Sequence, residues 1–223
     1  MHRREGQRQS LPGLGMIGPP VSVAIGASTG GPKALLRLVA DLRLPQWAFA
    51  FLVQHIHPKF SGVLARRLGE VSAVPVLMAG EGVLVEPGRV YLGPGGRHLL
   101  VERAGPAGYR TRLTEDPPRH GVRPAVDVLF GSVAEAFGSR AIGVVLTGMG
   151  RDGLVGAREI KARGGTILAE AEETCVIYGM PRVLAEAGLT DRLVPIQQMA
   201  TAIQQVCATL TERLPDVPAA RAG

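Results

Sequence analysis

Aromatic residues are scarce, at 4% of the 223 residues, and no aromatic–basic stacking motif accompanies them. That argues against nucleic acid as a partner. There are only two cysteines, Cys175 and Cys207, without metal-type spacing. A disulfide framework is not expected, and each reads as a small buried apolar residue. No apolar run is long enough to span a bilayer. Met1 to Pro20 is basic and polar, and lacks the apolar stretch of a secretory signal. The expected setting is therefore the reducing cytoplasm. A Walker lysine is missing, Gly26 to Gly31 does not fit G-x-G-x-x-G, and no repeat of fixed period is visible. His57, His98 and His120 have no metal-like spacing with carboxylates, so a metal site is not read from the sequence.

What is abundant is apolar residues, at 46%, and glycine, at 30 residues, with charged residues at 20%. Many glycines follow short apolar runs, the texture of an α/β protein with tight strand-to-helix turns. The formal charge is +6 and the sequence pI about 10. A basic surface favours acidic partners such as anionic lipid or a Glu-rich protein, or serves solubility alone.

Residues 1–19 and 211–223 are predicted as flexible tails around one domain at 20–210. Within it, strand-like runs at Val21–Ile25, Ala48–Val53, Val74–Met78, Ala141–Leu146 and Thr166–Ala169 alternate with helical periodicity. The helices are expected at Pro32–Leu42, Gly62–Leu68, Val126–Phe137, from the loop after Gly153 to Ala162, and at Met199–Leu210. Arg89–Leu92, His98–Glu102 and Tyr109–Leu113 read as a small antiparallel meander. The fold class is therefore a doubly wound α/β protein. Its sheet is mostly parallel, with helices on both faces and a small antiparallel piece.

Three polar residues stand just past three apolar runs: Ser28, His55 and Asp152. In a parallel sheet they arrive at one edge, where functional groups gather. A serine hydroxyl is a weak nucleophile until a base takes its proton. Histidine suits that task near neutrality, and a carboxylate fixes its tautomer. Gly30 and Gly31 leave backbone N–H groups open to an oxyanion, and Met149 in its glycine loop offers another. Each residue also has a plainer reading. Ser28 or Thr29 caps the next helix, His55 is a hydrogen-bonded structural histidine, and Asp152 is a turn or cap residue. Local sequence leaves both readings open.

The motifs Ile25-Gly-Ala-Ser-Thr-Gly-Gly-Pro32, Val53-Gln-His55 with Pro58 and Phe60, Pro87-Gly-Arg-Val-Tyr91, Arg123-Pro124 with Val126-Asp-Val-Leu-Phe130, Leu146-Thr-Gly-Met-Gly150 with Asp152-Gly153, and Cys175-Val-Ile-Tyr-Gly-Met-Pro-Arg182 occur in order. Together they resemble the catalytic domain of the bacterial chemotaxis protein-glutamate methylesterases. The resemblance implies hydrolysis of glutamate γ-methyl esters on chemoreceptors, with glutamine deamidation as an alternative activity. It assigns Ser28 as nucleophile, His55 as base, Asp152 as orienting carboxylate, and Thr29 and Met149 to the oxyanion side. It implies a partner in the acidic helical methylation region of a receptor, with no metal and no cofactor. A diverged non-catalytic module, holding an anion at the helix after Ser28, is the remaining alternative.

Two departures stand out. Such domains commonly follow a phosphoacceptor receiver domain, whereas fewer than 25 residues precede the catalytic region here. Phosphorylation control within this chain is therefore not expected, which points to a separate regulatory protein, to constitutive activity, or to trimming of a longer chain. Val122 stands where the family often has histidine, with His120 two residues earlier. Arg151 adds a bulky cation that could steer an acidic substrate.

Overall fold

The computed structural model describes residues 20–212. Val21–Ala27 (β1) and Ala48–Gln54 (β2) are buried at every position. Their side chains nonetheless alternate between two cores. Val21, Val23, Ile25 and Ala27 join Ala48, Ala50 and Leu52 on one face. Ala24 joins Phe49, Phe51 and Val53 on the other. Burial on both faces is what an interior strand of a parallel sheet requires, and it explains the unbroken apolar runs.

The helices are α1 (Gly31–Asp41), α2 (Pro58–Val71), α3 (Val126–Phe137), α4 (Leu154–Ala162), α5 (Met180–Glu186) and α6 (Ile196–Glu212). The remaining strands are β3 (Val76–Met78), β4 (Val90–Leu92), β5 (His98–Arg103), β6 (Tyr109–Thr114), β7 (Ala141–Val145), β8 (Thr166–Glu170) and β9 (Arg192–Val194). Seven strands form one parallel sheet in the order β3-β4-β2-β1-β7-β8-β9. Leu35, Leu38, Leu64, Leu68, Met199 and Ile203 carry α1, α2 and α6 into one core. Leu129, Phe130, Val133, Ile160 and Leu184 carry α3, α4 and α5 into the other. The doubly wound architecture read from the sequence is the observed one.

The strand order reverses between β1 and β7, so the crevice at their carboxyl ends is the switch point where such sheets hold ligands. No helix among the described residues is long and apolar enough to cross a membrane.

The meander is smaller than expected. His98–Arg103 and Tyr109–Thr114 pair antiparallel, but Val90–Leu92 belongs to the parallel sheet, between β2 and β3. All three of its residues are buried, whereas β6 alternates buried and exposed. Three residues are too few for that difference to show as a period. Helix α2 begins at Pro58, earlier than its apolar spacing suggested, and His57 accepts a hydrogen bond from Lys59 N at 3.3 Å as its cap. Helix α5 and strand β9 carry no visible periodicity at seven and three residues. The expected tail at 1–19 lies outside the described residues, as does 213–223; residues 211 and 212 continue α6.

Candidate active site

Beyond Ala27 the chain turns sharply. Ser28 N donates to Thr147 O at 3.0 Å, and Gly31 N donates back to Ser28 O at 2.8 Å. Gly30 makes the turn possible with φ +83°, and it is Gly30 that caps α1, with no side-chain bond. The capping reading of Ser28 and Thr29 is thereby overturned: α1 starts too late for either hydroxyl to reach its N-terminus as the cap residue. Ser28 is half-buried and Thr29 exposed.

His55 follows β2, and its N–H extends the sheet ladder to Ala27 O at 3.0 Å. Its ring is nearly buried, and Nε2 lies 2.7 Å from Asp152 Oδ2. The bond to Asp152 uses Nε2, which leaves Nδ1 as the ring nitrogen for any proton transfer with a hydroxyl. Among the described residues the Ser28 hydroxyl makes no hydrogen bond. The His55–Asp152 contact is formed, and the Ser28–His55 contact is open.

Asp152 comes after β7, in the loop that sequence reading singled out. It is 2% exposed. Its Oδ2 also accepts Val126 N at 2.6 Å, and Oδ1 accepts Asp127 N at 2.9 Å. Burial pushes its carboxyl up, but hydrogen bonds from His55, Asp127 N and Val126 N outweigh it and hold it below the ordinary value. Those two backbone donors open α3, so the carboxylate also faces the positive end of that helix.

Sequence reading missed the supporting residues. Gln54 ends a fully buried strand with a polar side chain. Its Nε2 donates to Ser28 O at 2.9 Å and His55 O at 3.1 Å, tying the two turns together. Thr147 Oγ1 donates to Thr29 O at 2.9 Å and accepts Ile177 N at 3.0 Å, while Thr147 N donates to buried Glu170 at 2.8 Å. Asp127 is fully buried and accepts Gly153 N at 2.9 Å, Gly156 N at 2.8 Å and His120 Nε2 at 2.7 Å. A polar residue closing an apolar strand was the available signal for Gln54. Nothing local marks Thr147 or Asp127.

Met149 is 75% exposed, and its backbone N–H has no partner among the described residues. Thr29 N is likewise unpartnered. A cleft of about 400 Å³ runs along His55, His57, Pro58 and Val122. Val122 thus lines the cleft beside His55, whereas His120 turns to Asp127. His98 is buried and structural, accepting Ala125 N on Nδ1 and bonding Pro117 O through Nε2.

His120, Asp127 and Asp152 bring ligand-type atoms within 4.8 Å of one another. All four carboxylate oxygens already face N–H donors, so the cluster does not fit a resident cation. Both thiols are unpaired. Burial pushes each up to about 12, helped at Cys175 by Glu170 and Glu172, and neither suits a nucleophile.

A doubly wound α/β sheet, with a hydroxyl and a buried imidazole–carboxylate pair gathered at its switch point, is the class of protein defined so far. Comparison narrows it. Residues 23–203 match the family model described as CheB methylesterase. A relative from Symbiobacterium thermophilum, named protein-glutamate methylesterase/protein-glutamine glutaminase, is 45% identical over 191 residues, covering 86% of this chain and 52% of that protein. One from Moorella thermoacetica with the same name is 46% identical over 181 residues, or 81% of this chain and 43% of that protein. The crystal structure of the Thermotoga maritima CheB methylesterase catalytic domain superposes with a TM-score of 0.79 at 38% identity, covering 85% of this chain and 98% of that one. The chain belongs to the CheB methylesterase family. It spans about half the length of the curated relatives it matches.

Proposed function

We propose that this chain is a protein-glutamate methylesterase acting by a Ser28–His55–Asp152 mechanism. The observation that carries the reading is the 2.7 Å His55–Asp152 contact beside a serine whose hydroxyl is spent on no other bond. In the reaction, His55 Nδ1 takes the Ser28 proton as Oγ attacks the γ-ester carbonyl. The resulting oxyanion faces the backbone N–H groups of Thr29 and Met149. His55 returns the proton to the departing methoxide, and methanol leaves. Water, deprotonated by the same ring, then releases the glutamate carboxylate and regenerates Ser28. Asp152 holds the imidazole in the Nδ1-basic tautomer and offsets the charge of its cation. The Ser28–His55 contact, open here, closes when substrate is seated.

The substrate in this reading is the acidic helical methylation region of a chemoreceptor, met in the cytoplasm. Exposed Lys59, Arg119 and Arg151 near the site suit an acidic surface. A second reading, glutamine deamidation, is favoured by the paired activities in the relatives' names. It uses the same residues with ammonia as the leaving group. Methanol and ammonia release from a purified methylated receptor fragment test both: methanol carries the first reading, ammonia from the glutamine form carries the second, and neither product defeats both. Regulation by a separate protein belongs to the same proposal.

A further inference from the structure

We infer that His120 is a positioning residue for Asp152, acting through the buried carboxylate of Asp127. The inference rests on the proposed esterase site. Asp152 has no covalent reason to stay against His55, because it sits in a glycine-rich loop with Gly150 and Gly153 on either side, both at positive φ. What holds it is a reciprocal clasp. Asp152 accepts the first two N–H groups of α3, at Val126 and Asp127. Asp127 accepts two N–H groups from the start of α4, at Gly153 and Gly156. Asp152 thus caps α3, the helix that carries Asp127, and Asp127 caps α4, the helix that follows Asp152.

The clasp places two carboxylates against each other in a buried setting, Asp127 with its side chain wholly buried and Asp152 at 3%. His120 supplies the remaining donor. Its Nε2 is 2.7 Å from Asp127 Oδ2 and 4.0 Å from Asp152 Oδ1. Two imidazoles therefore flank the two carboxylates, the nearly buried His55 on Asp152 and the more exposed His120 on Asp127. The backbone is committed to this arrangement: His120 is the only described non-glycine residue at positive φ, +52°, in a turn closed by the Arg119–Val122 bridge. His120 is not among the residues that line the cleft beside His55, and its ring bonds Asp127, so its effect on turnover passes through the position of Asp152.

The test compares His120→Ala with His120→Gln, whose amide N–H can donate from near the position of Nε2–H. Turnover of a methylated receptor fragment, melting temperature, and the downfield proton resonance of His55 Nε2–H on Asp152 are measured for each. His120→Ala is expected to lower kcat about tenfold or more with KM within about twofold. It is also expected to shift or broaden the His55 resonance. His120→Gln recovers most of both. Unchanged kcat and resonance in His120→Ala would overturn the inference. So would equal losses in both variants that follow the melting temperature, which mark a purely structural role. If wild-type protein shows no turnover, the esterase reading fails, while the resonance still decides whether His120 positions Asp152.

Discussion

Asp152 accepts the backbone N–H of Asp127 at 2.9 Å, and Asp127 accepts the N–H of Gly153, the residue after Asp152, also at 2.9 Å. The loop that delivers Asp152 and the first turn of α3 are thus fastened to each other by both carboxylates. Helix packing and site geometry become one property.

The fastening has a pH signature. Asp152 is held below its ordinary carboxyl value of 3.8, so the folded state binds its proton less readily than the unfolded chain. Its stabilisation is present above about pH 4 and is lost as pH falls through the lower folded value. Asp152→Asn is expected to cost about 1–3 kcal/mol at pH 7, because an amide cannot accept all three bonds. The gap from wild type should narrow steadily below pH 4. Urea denaturation at stepped pH measures it; a gap that stays constant from pH 7 to pH 2 contradicts the assignment.

Gly148 faces the Ser28 turn. A Cβ there would stand 2.7 Å from Ser28 Cβ and would collide with Met180 Sδ. Gly148→Ala is expected to move the Ser28 turn and lower turnover about 10–100-fold, since misplacements of about 1 Å carry costs of that order. Thermal melting beside ester turnover separates the effects: activity should fall even at temperatures where the variant is fully folded.

Gln54 joins Ser28 O to His55 O. Gln54→Leu keeps the approximate volume and removes both donors. The expected loss is about 1–3 kcal/mol of stability, because His55 O loses this donor and Ser28 O keeps only the bond from Gly31 N. A lower kcat should accompany it, as the two turns drift apart. Gln54→Glu removes the same donors and sets a carboxylate against both oxygens, so it should be the worse variant. Denaturation midpoints rank them.

The sequence made β1, β2 and β7 legible because interior parallel strands are apolar on both faces and end where polar residues begin. Ser28, His55 and Asp152 were singled out for the same reason, each standing past the end of such a run. The cap reading of Ser28 stayed open there because the start of α1 differs by only a few residues between a serine cap and a glycine cap. Asp127 carries no local mark of its role; its partners at Gly153 and Gly156 are 26 and 29 residues away and meet it only once α3 and α4 pack. His120 was noted only as a neighbour of Val122 that could compensate for the family's histidine; its bond to Asp127 shows only in the fold. Strand β4 was misplaced because three residues cannot display whether one face or two are buried.

Replacing Ser28, the proposed nucleophile, tests the whole reading most directly. Ser28→Ala protein, shown to melt like wild type, is assayed for methanol release from a methylated receptor fragment. The account expects turnover to fall at least about 10³-fold, with substrate binding retained. Near-normal methanol release from folded Ser28→Ala would contradict it.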